Sequence, residues 1–334
     1  MSRLEPQIDA IAAETGFAGV VRVDDAGGVR LAKAYGLAHR GYRIPNTVDT
    51  RFGIASGSKA LTALAVVSLI EDGVLELGTT ARSVLGADLP LIGADVTVEH
   101  LLAHRSGIGD YLDEDQIGDI SDYLMPVGVH ELATTEQFVR VLDGYPTKFA
   151  PDEQFSYCNG GYVVLALIAE RCGGATYHDL VRQRVCRPAG MDRTDFLRTD
   201  ELGADAARGY LSVDGPRTNI FHLPVVATGD GGAYSTAADI HALWTALYAG
   251  TIVAPSWFAE MVRPRSYCPS ESLRYGLGFW LHESGDAVIL EGWDAGVSSR
   301  TVHDPIAHRT YTVLSNTSEG AWPIARRLDE LLSP

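Results

Sequence analysis

A chain of 334 residues with 46% hydrophobic and 21% charged residues is long enough for one large domain or two ordinary ones around a well-buried core. Its 43 acidic and 27 basic residues give a net charge of −16, which leaves no basic stripe to meet nucleic-acid phosphates. The longest apolar stretch, 60–70, is about half of a membrane span, and the first residues lack the apolar core of a secretory signal. Cys158, Cys172, Cys186 and Cys268 show no CxxC spacing. The expectation is a cytoplasmic protein with free thiols.

Residues 3–14 read as an amphipathic helix, followed by β-rich runs at 17–24 and 29–35 on either side of a Gly-Gly turn. From Ser56 to about Asp72 the apolar positions go nearly all round, which predicts a helix buried on every side and stopped by Gly73. The middle reads as helices and loops, with one helix starting at Thr97, one at 134–142 and a strongly apolar one at 160–172. A helix at 236–248, capped by Ser235 or Thr236, precedes strand-like runs at 275–282, 286–290, 297–303 and 309–315. An Asp-Pro turn separates the last two, and a helix from about 320 to 332 closes the chain. Strands at both ends of a helical middle predict an α/β (α+β) fold. Its antiparallel sheet, flanked by helices, would use 1–78 and 221–334, with a mostly helical lobe inserted at 79–220.

Of the basic residues only Lys33, Lys59 and Lys148 are lysine, so arginine supplies the surface charge. Lys59 is the one charge between Phe52 and Ile70, three residues after Ser56. Positions i and i+3 of a helix are neighbours, so the Ser56 hydroxyl and the Lys59 amine can meet. Burial disfavours the ammonium form, which suits Lys59 to accept a proton as arginine cannot. This is one way to activate a serine nucleophile. The plain alternative is a serine capping a helix and a lysine snorkelling out of it. Tyr157-Cys158-Asn159 opens the apolar helix at 160. Its phenol is expected to ionise more easily beside a lysine ammonium and to relay a proton, and its asparagine to hold the substrate or the lysine. As plain turn residues they would do neither. The Asp-rich loop 109–129 is expected to border the pocket.

Ser56-Gly57-Ser58-Lys59 followed by Tyr157-Cys158-Asn159 resembles the SxxK and YxN motifs of the serine β-lactamase and penicillin-binding protein superfamily. The closest branch is the class C-like group of family VIII esterases, D-aminopeptidases and DD-peptidases. His100 to Gly107 is similar to the group's LLxHxSG stretch, Pro188 to Thr194 to PLGMxxT, and Gly231 to Asp239 to GGLxSTxxD. Tyr275 to Gly278 and Leu314 to Asn316 match as well, in the correct order from about residue 8 to 330. The resemblance implies a β-lactamase/transpeptidase-like fold and an acyl-enzyme on Ser56, with Lys59 and Tyr157 sharing the base role.

The group's third box, KTG or HxG, falls at Leu290-Glu291-Gly292. The glycine is kept and the cation is replaced by leucine. In relatives that cation and its neighbour help receive a substrate carboxylate, so a penicillin or a free D-alanine terminus is disfavoured here. Asn159, Leu290, Gly292, Trp293 and Asp294 are expected along the substrate, and the resemblance places the oxyanion hole at the N–H groups of Ser56 and Trp293. His100 and His104 have the spacing of a metal pair without an HExxH pattern, so no metal is expected, nor any other cofactor. There is no GxSxG elbow.

The expected function is an intracellular esterase or amidase acting on a small-molecule acyl substrate, with no nucleic-acid or membrane partner. No motif specifies an oligomeric state. The alternatives are a DD-peptidase, D-aminopeptidase or β-lactamase, an acyltransferase, and a non-catalytic ligand-binding member. Leu290 favours the last of these, while Ser56, Lys59 and Tyr157 oppose it.

Overall fold

The computed structural model of the protein describes residues 4–332. Helix α1 (Leu4–Thr15) leads into a hairpin of β1 (Gly19–Asp25) and β2 (Gly28–Tyr35). Helices α2 (Lys59–Glu71), α3 (Val98–Leu102), α4 (Asn159–Gly173) and α5 (Ala237–Ala249) follow. The chain then returns as β3 (Ser266–Cys268), β4 (Leu273–Tyr275), β5 (Trp280–His282), β6 (Val288–Asp294), β7 (Val297–Asp304) and β8 (Arg309–Ser315). Helix α6 (Ala321–Leu332) is last. One antiparallel sheet runs β2-β1-β8-β7-β6-β5-β4-β3, and β8 lies against β1 with Ser315 opposite Gly19.

The period-2 alternation of strands sorts the side chains onto two faces. Val21, Val23, Tyr311 and Val313 meet Leu4 and Ile8 of α1 and Ile324 and Leu328 of α6 on one side. Val20, Leu290 and Leu314 point the other way, into a larger core shared with α2, α4 and α5. Helix α2 lies at the centre of that core, and every residue from Lys59 to Ile70 is buried. Fully burying side chains such as Leu61, Leu64 and Leu69 contributes about 1.5–3 kcal/mol each before ordering costs. Gly73, at φ 73°, ends the helix in a left-handed conformation that glycine adopts without steric cost. The named strands lie within 19–53 and 234–315, and the named elements from Lys59 to Ala189 are all helical.

Several details differ from the sequence expectations. The run 275–282 is two strands rather than one, because Gly276 and Gly278 turn the chain so that Tyr275 pairs with Trp280. The run at 286–290 continues through Gly292 to Asp294, where Ala295-Gly296 makes the hairpin turn into β7. The helix expected from Ser56 starts as a 3₁₀ turn, Ala55–Ser58, with the α-helix proper beginning at Lys59. Thr236 caps α5 by accepting from Asp239 N–H, while the Ser235 hydroxyl is taken by Thr194. Short elements at 177–189 and 255–261, and strand β3, lack enough periodic residues to be read from sequence.

Candidate active site

The turn that carries Ser56 is held from both sides. Ile54 N–H donates to Ala233 O at 2.9 Å, Gly57 N–H to Ile54 O at 2.9 Å and Gly232 N–H to Ala55 O at 3.2 Å. These bonds over-determine Ala55, whose φ of 42° is left-handed and costs a non-glycine residue about 1–2 kcal/mol. Ser56 therefore stands in the first turn of a helical segment, where backbone N–H groups have no intrahelical partner.

Lys59 is 2% exposed, and its amine has three neighbours. Nζ lies 2.6 Å from Asp230 O, 2.7 Å from Asn159 Oδ1 and 2.9 Å from Ser56 Oγ. The first two are carbonyl oxygens and can only accept. A neutral amine, with two N–H bonds and one lone pair, fills both and turns its lone pair to the Ser56 hydroxyl. Burial favours that neutral form by lowering the lysine pKa, against the opposing charges of Asp230, Glu114 and Asp110. Asn159 is buried, and its Nδ2 donates to Leu112 O and Glu114 Oε1, both at 2.9 Å. Every polar atom of that side chain is thus committed to protein. Of the two partners expected for Asn159, substrate or lysine, its amide oxygen faces the lysine.

Asp110, which sequence reasoning missed, anchors this arrangement. Its carboxylate accepts from the N–H groups of Asn159 at 2.6 Å, Gly160 at 2.8 Å and Leu112 at 3.2 Å, where α4 begins. Burial pushes the carboxyl up to about 6. Asp110→Ala strands three N–H groups in or near the core, each worth about 1–3 kcal/mol. The expected outcome is a loss of about 3 kcal/mol in urea unfolding, with Asp110→Asn partly restored. An unchanged midpoint for Asp110→Ala would show that the cap is dispensable.

Tyr157 stands beside Ser56, and the two line the same cleft. The Tyr157 ring packs tilted against His104 at 4.3 Å and lies near-parallel to Trp280 at 5.9 Å. His104 is itself fixed, since Nδ1 accepts from Cys158 N–H at 3.0 Å, and His100 closes a capping box with Thr97. The expected easy ionisation of Tyr157 is corrected. Burial and then the Glu114 charge push the phenol well above its usual range, because a phenolate would be dry and beside a carboxylate. Lys59 sits over the ring, 4.8 Å from its centroid.

The third box also departs from expectation. Leu290 belongs to the core, with Ile54 and Gly57 among its surroundings, and does not line the cleft that holds Ser56. Period-2 alternation turns it to the α2 face and presents Glu291 instead. Glu291 bonds Arg300 of β7 at 2.7 Å. Gly292 is required by contact, since a Cβ there would lie 2.0 Å from Ile54 O. A Cβ at Gly57 would meet Glu291 O at 3.9 Å, so the main-chain groups of Glu291 face the Ser56 turn. Two residues on, the N–H of Trp293 faces the same way. The Trp293 indole N–H donates to Glu319 at 2.9 Å.

Ser56 opens onto a cleft of about 860 Å³ whose charged lining residues are Glu114, Glu271, Glu291 and Glu319. Asp230 and Asp294 line a smaller adjoining pocket, and burial pushes the Asp294 carboxyl up to about 7. Among the described residues lining the two spaces there is no lysine or arginine. The acidic loop does border the site, through Tyr111, Leu112, Glu114 and Tyr123. Glu114 and Asp230 were not singled out by sequence, although Asp230 directly precedes the Gly231-Gly232 segment.

A family model described as Beta-lactamase matches residues 4–332. The chain belongs to the Beta-lactamase family. Its fold is the β-lactamase/transpeptidase-like fold, and like its relatives it is a serine hydrolase. The crystal structure of a penicillin binding protein from Bacillus halodurans aligns at TM-score 0.90 and 32% identity, covering 97% of this chain and 99% of that one. A D-aminopeptidase of Brucella anthropi is 30% identical over 292 residues, which is 83% of this chain and only 52% of that protein. Esterase EstB of Burkholderia gladioli is 26% identical over 340 residues, covering 92% and 82%. Among the described residues of this family member, no helix is long and apolar enough to cross a membrane.

Proposed function

We propose that the protein is an esterase or amidase that takes the acyl group of a small, neutral or positively charged substrate onto Ser56 and passes it to water. Ser56 Oγ attacks the carbonyl carbon while Lys59 Nζ accepts the hydroxyl proton. The developing oxyanion is received by the N–H groups of Ser56 and Trp293. The bond to the leaving group breaks, and that group departs with a proton delivered through Lys59 and the Tyr157 hydroxyl. Water then attacks the ester carbonyl, gives a proton to the same amine, and Ser56 Oγ leaves reprotonated. Asn159 and Asp230 O hold the amine throughout.

The charge of the cleft carries the substrate reading. Discounting Glu291, whose charge Arg300 offsets, Glu114, Glu271, Glu319 and Asp230 remain around the site, and the described residues of the two linings include no lysine or arginine. A substrate carboxylate about 6 Å from one such acid meets about 3 kcal/mol of repulsion at an effective dielectric near 20. Esters and amides without a carboxylate escape this, and an ammonium gains from it. The names of the relatives, a D-aminopeptidase and an esterase, fit that choice. A cytoplasmic setting belongs to the same proposal, supported by the four unpaired cysteines.

The test compares kcat/KM for p-nitrophenyl butyrate, p-nitrophenyl hydrogen glutarate and nitrocefin, with Ser56→Ala as the control. Butyrate is expected to exceed each of the two anionic substrates at least tenfold and to lose turnover in the control. Nitrocefin hydrolysis above the ester rate would sink the substrate class.

A further inference from the structure

We propose that the small pocket beside Ala55 holds the side chain of the acyl group and selects a short one ending in an uncharged hydroxyl or carboxamide. This rests on the acyl-enzyme reading above. The pocket adjoins the catalytic cleft at three places along the chain. Ala55 lines it where Ser56 lines the cleft, Leu112 where Glu114 does, and Asp294 where Trp293 does. An acyl carbonyl held between the N–H groups of Ser56 and Trp293 can therefore send its leaving group into the cleft and its side chain past Asp294.

The walls are mostly apolar, with Tyr123, Met125, Leu223 and Val297 among them. Set into those walls are Thr199 and His222, both more than nine-tenths buried. Thr199 Oγ1 and both ring nitrogens of His222 have no hydrogen-bond partner among the described residues. Their backbones are already secured, Thr199 N–H to Val225 O at 2.9 Å and His222 N–H to Asn219 O at 2.8 Å, so the loop does not need these side chains to be polar. Buried polar atoms left unpaired are costly and rare. Three in one pocket call for a ligand that pairs them.

A threonine hydroxyl donates and accepts, and a neutral imidazole does one at each nitrogen. Their complement is a group that also does both, which a hydroxyl or a carboxamide provides and a methyl does not. Asp230 and Asp294 in the same lining offer an anion no positive partner. The cavity volume is about 50 Å³. At roughly 10–15 Å³ for a water-sized group, that admits about four non-hydrogen atoms. The 3-hydroxybutanoyl group carries four beyond its carbonyl, and 3-methylbutanoyl is the same shape with a methyl for the hydroxyl.

The experiment measures kcat/KM for the p-nitrophenyl esters of these two acids on the wild type, Thr199→Val and His222→Phe. In parallel, the rate at which a small fluorophosphonate labels Ser56 is recorded for each protein. The wild type is expected to prefer the hydroxy ester at least tenfold, and p-nitrophenyl octanoate to fall at least tenfold below the butanoate. In each variant the hydroxy preference should shrink to within threefold while labelling stays within threefold of wild type. A wild-type ratio near one with Ser56 labelled overturns the pocket and leaves the acyl-enzyme standing, as does a preference that survives Thr199→Val. If Ser56 takes no label, the acyl-enzyme reading fails instead. The pocket is then decided by binding of 3-hydroxybutanamide against 3-methylbutanamide. Tenfold tighter binding of the hydroxy amide upholds it, and equal binding, as expected of a pocket that holds only water, overturns it.

Discussion

Replacing Lys59 with arginine is expected to slow acylation of Ser56 by about 10³-fold, within the range that a positioned general base contributes. Arginine supplies the positive charge that a purely electrostatic role for residue 59 would need, so such a role would survive the change. What is lost is the lone pair. Arginine stays protonated at any pH the protein tolerates, and its planar guanidinium cannot reproduce a tetrahedral nitrogen donating to Asn159 Oδ1 and Asp230 O while accepting from Ser56. The pH dependence gives a second reading of the same claim. Burial lowers the Lys59 pKa from 10.5, so the neutral amine forms at lower pH than in the unfolded chain. The acylation rate should rise with pH to a plateau whose midpoint lies below 10.5, and fall away as pH drops through that midpoint. Stability runs in the same direction. Between the lowered folded value and 10.5 the unfolded chain binds more protons at this site, so this lysine's contribution grows as pH rises. Fluorophosphonate labelling of thermally intact Lys59→Arg decides the matter, and a rate within tenfold of wild type would refute the base role.

The chemistry of this site was more legible in the sequence than its surroundings. Ser56, Lys59, Tyr157 and the following helix announce themselves because a lone lysine on an apolar helix is a local feature, and local spacing maps onto local structure. The same holds for the main strands and for helix stops such as Gly73. What escaped depends on segments distant in the chain. Asp110 meets Asn159 across 49 positions and Asp230 meets Lys59 across 171, and neither residue has a periodic context that marks it as buried. Leu290 was placed along the substrate because its box aligned with a cation in relatives. Only the sheet's alternation reveals that this position points into the core and that Glu291 takes the cleft side. The Tyr157 phenol was misread for a related reason. A neighbouring amine suggested easier ionisation, but the amine lies over the ring face, and burial on all sides outweighs it.

Gly292→Ala is expected to lower kcat/KM by at least about 100-fold, the scale on which roughly 1 Å of misplacement affects a reacting centre. The added methyl would stand 2.0 Å from Ile54 O and 2.9 Å from Ser299 Oγ. The serine can rotate away only by giving up its 2.9 Å bond to Ile54 O. The carbonyl cannot yield, because Ile54 O also accepts from Gly57 N–H and so helps to hold the Ser56 turn. Relief must come from moving β6 together with β7, which pairs with it from Val288 to Asp294, while β5 holds it only at Val288 and Ile289. That displacement carries the N–H of Trp293 away from Ser56 and opens the oxyanion hole. The loss should fall mainly on kcat, since the displaced N–H serves the developing oxyanion more than the bound ester, with a stability cost of about 1–3 kcal/mol for the overpacked contact. Gly118→Ala, where an added methyl meets nothing within 4 Å, serves as the control and should stay within twofold of wild type. Wild-type kcat in Gly292→Ala would mean that the approach of β6 to the nucleophile turn does not set the rate, and that the oxyanion is held elsewhere.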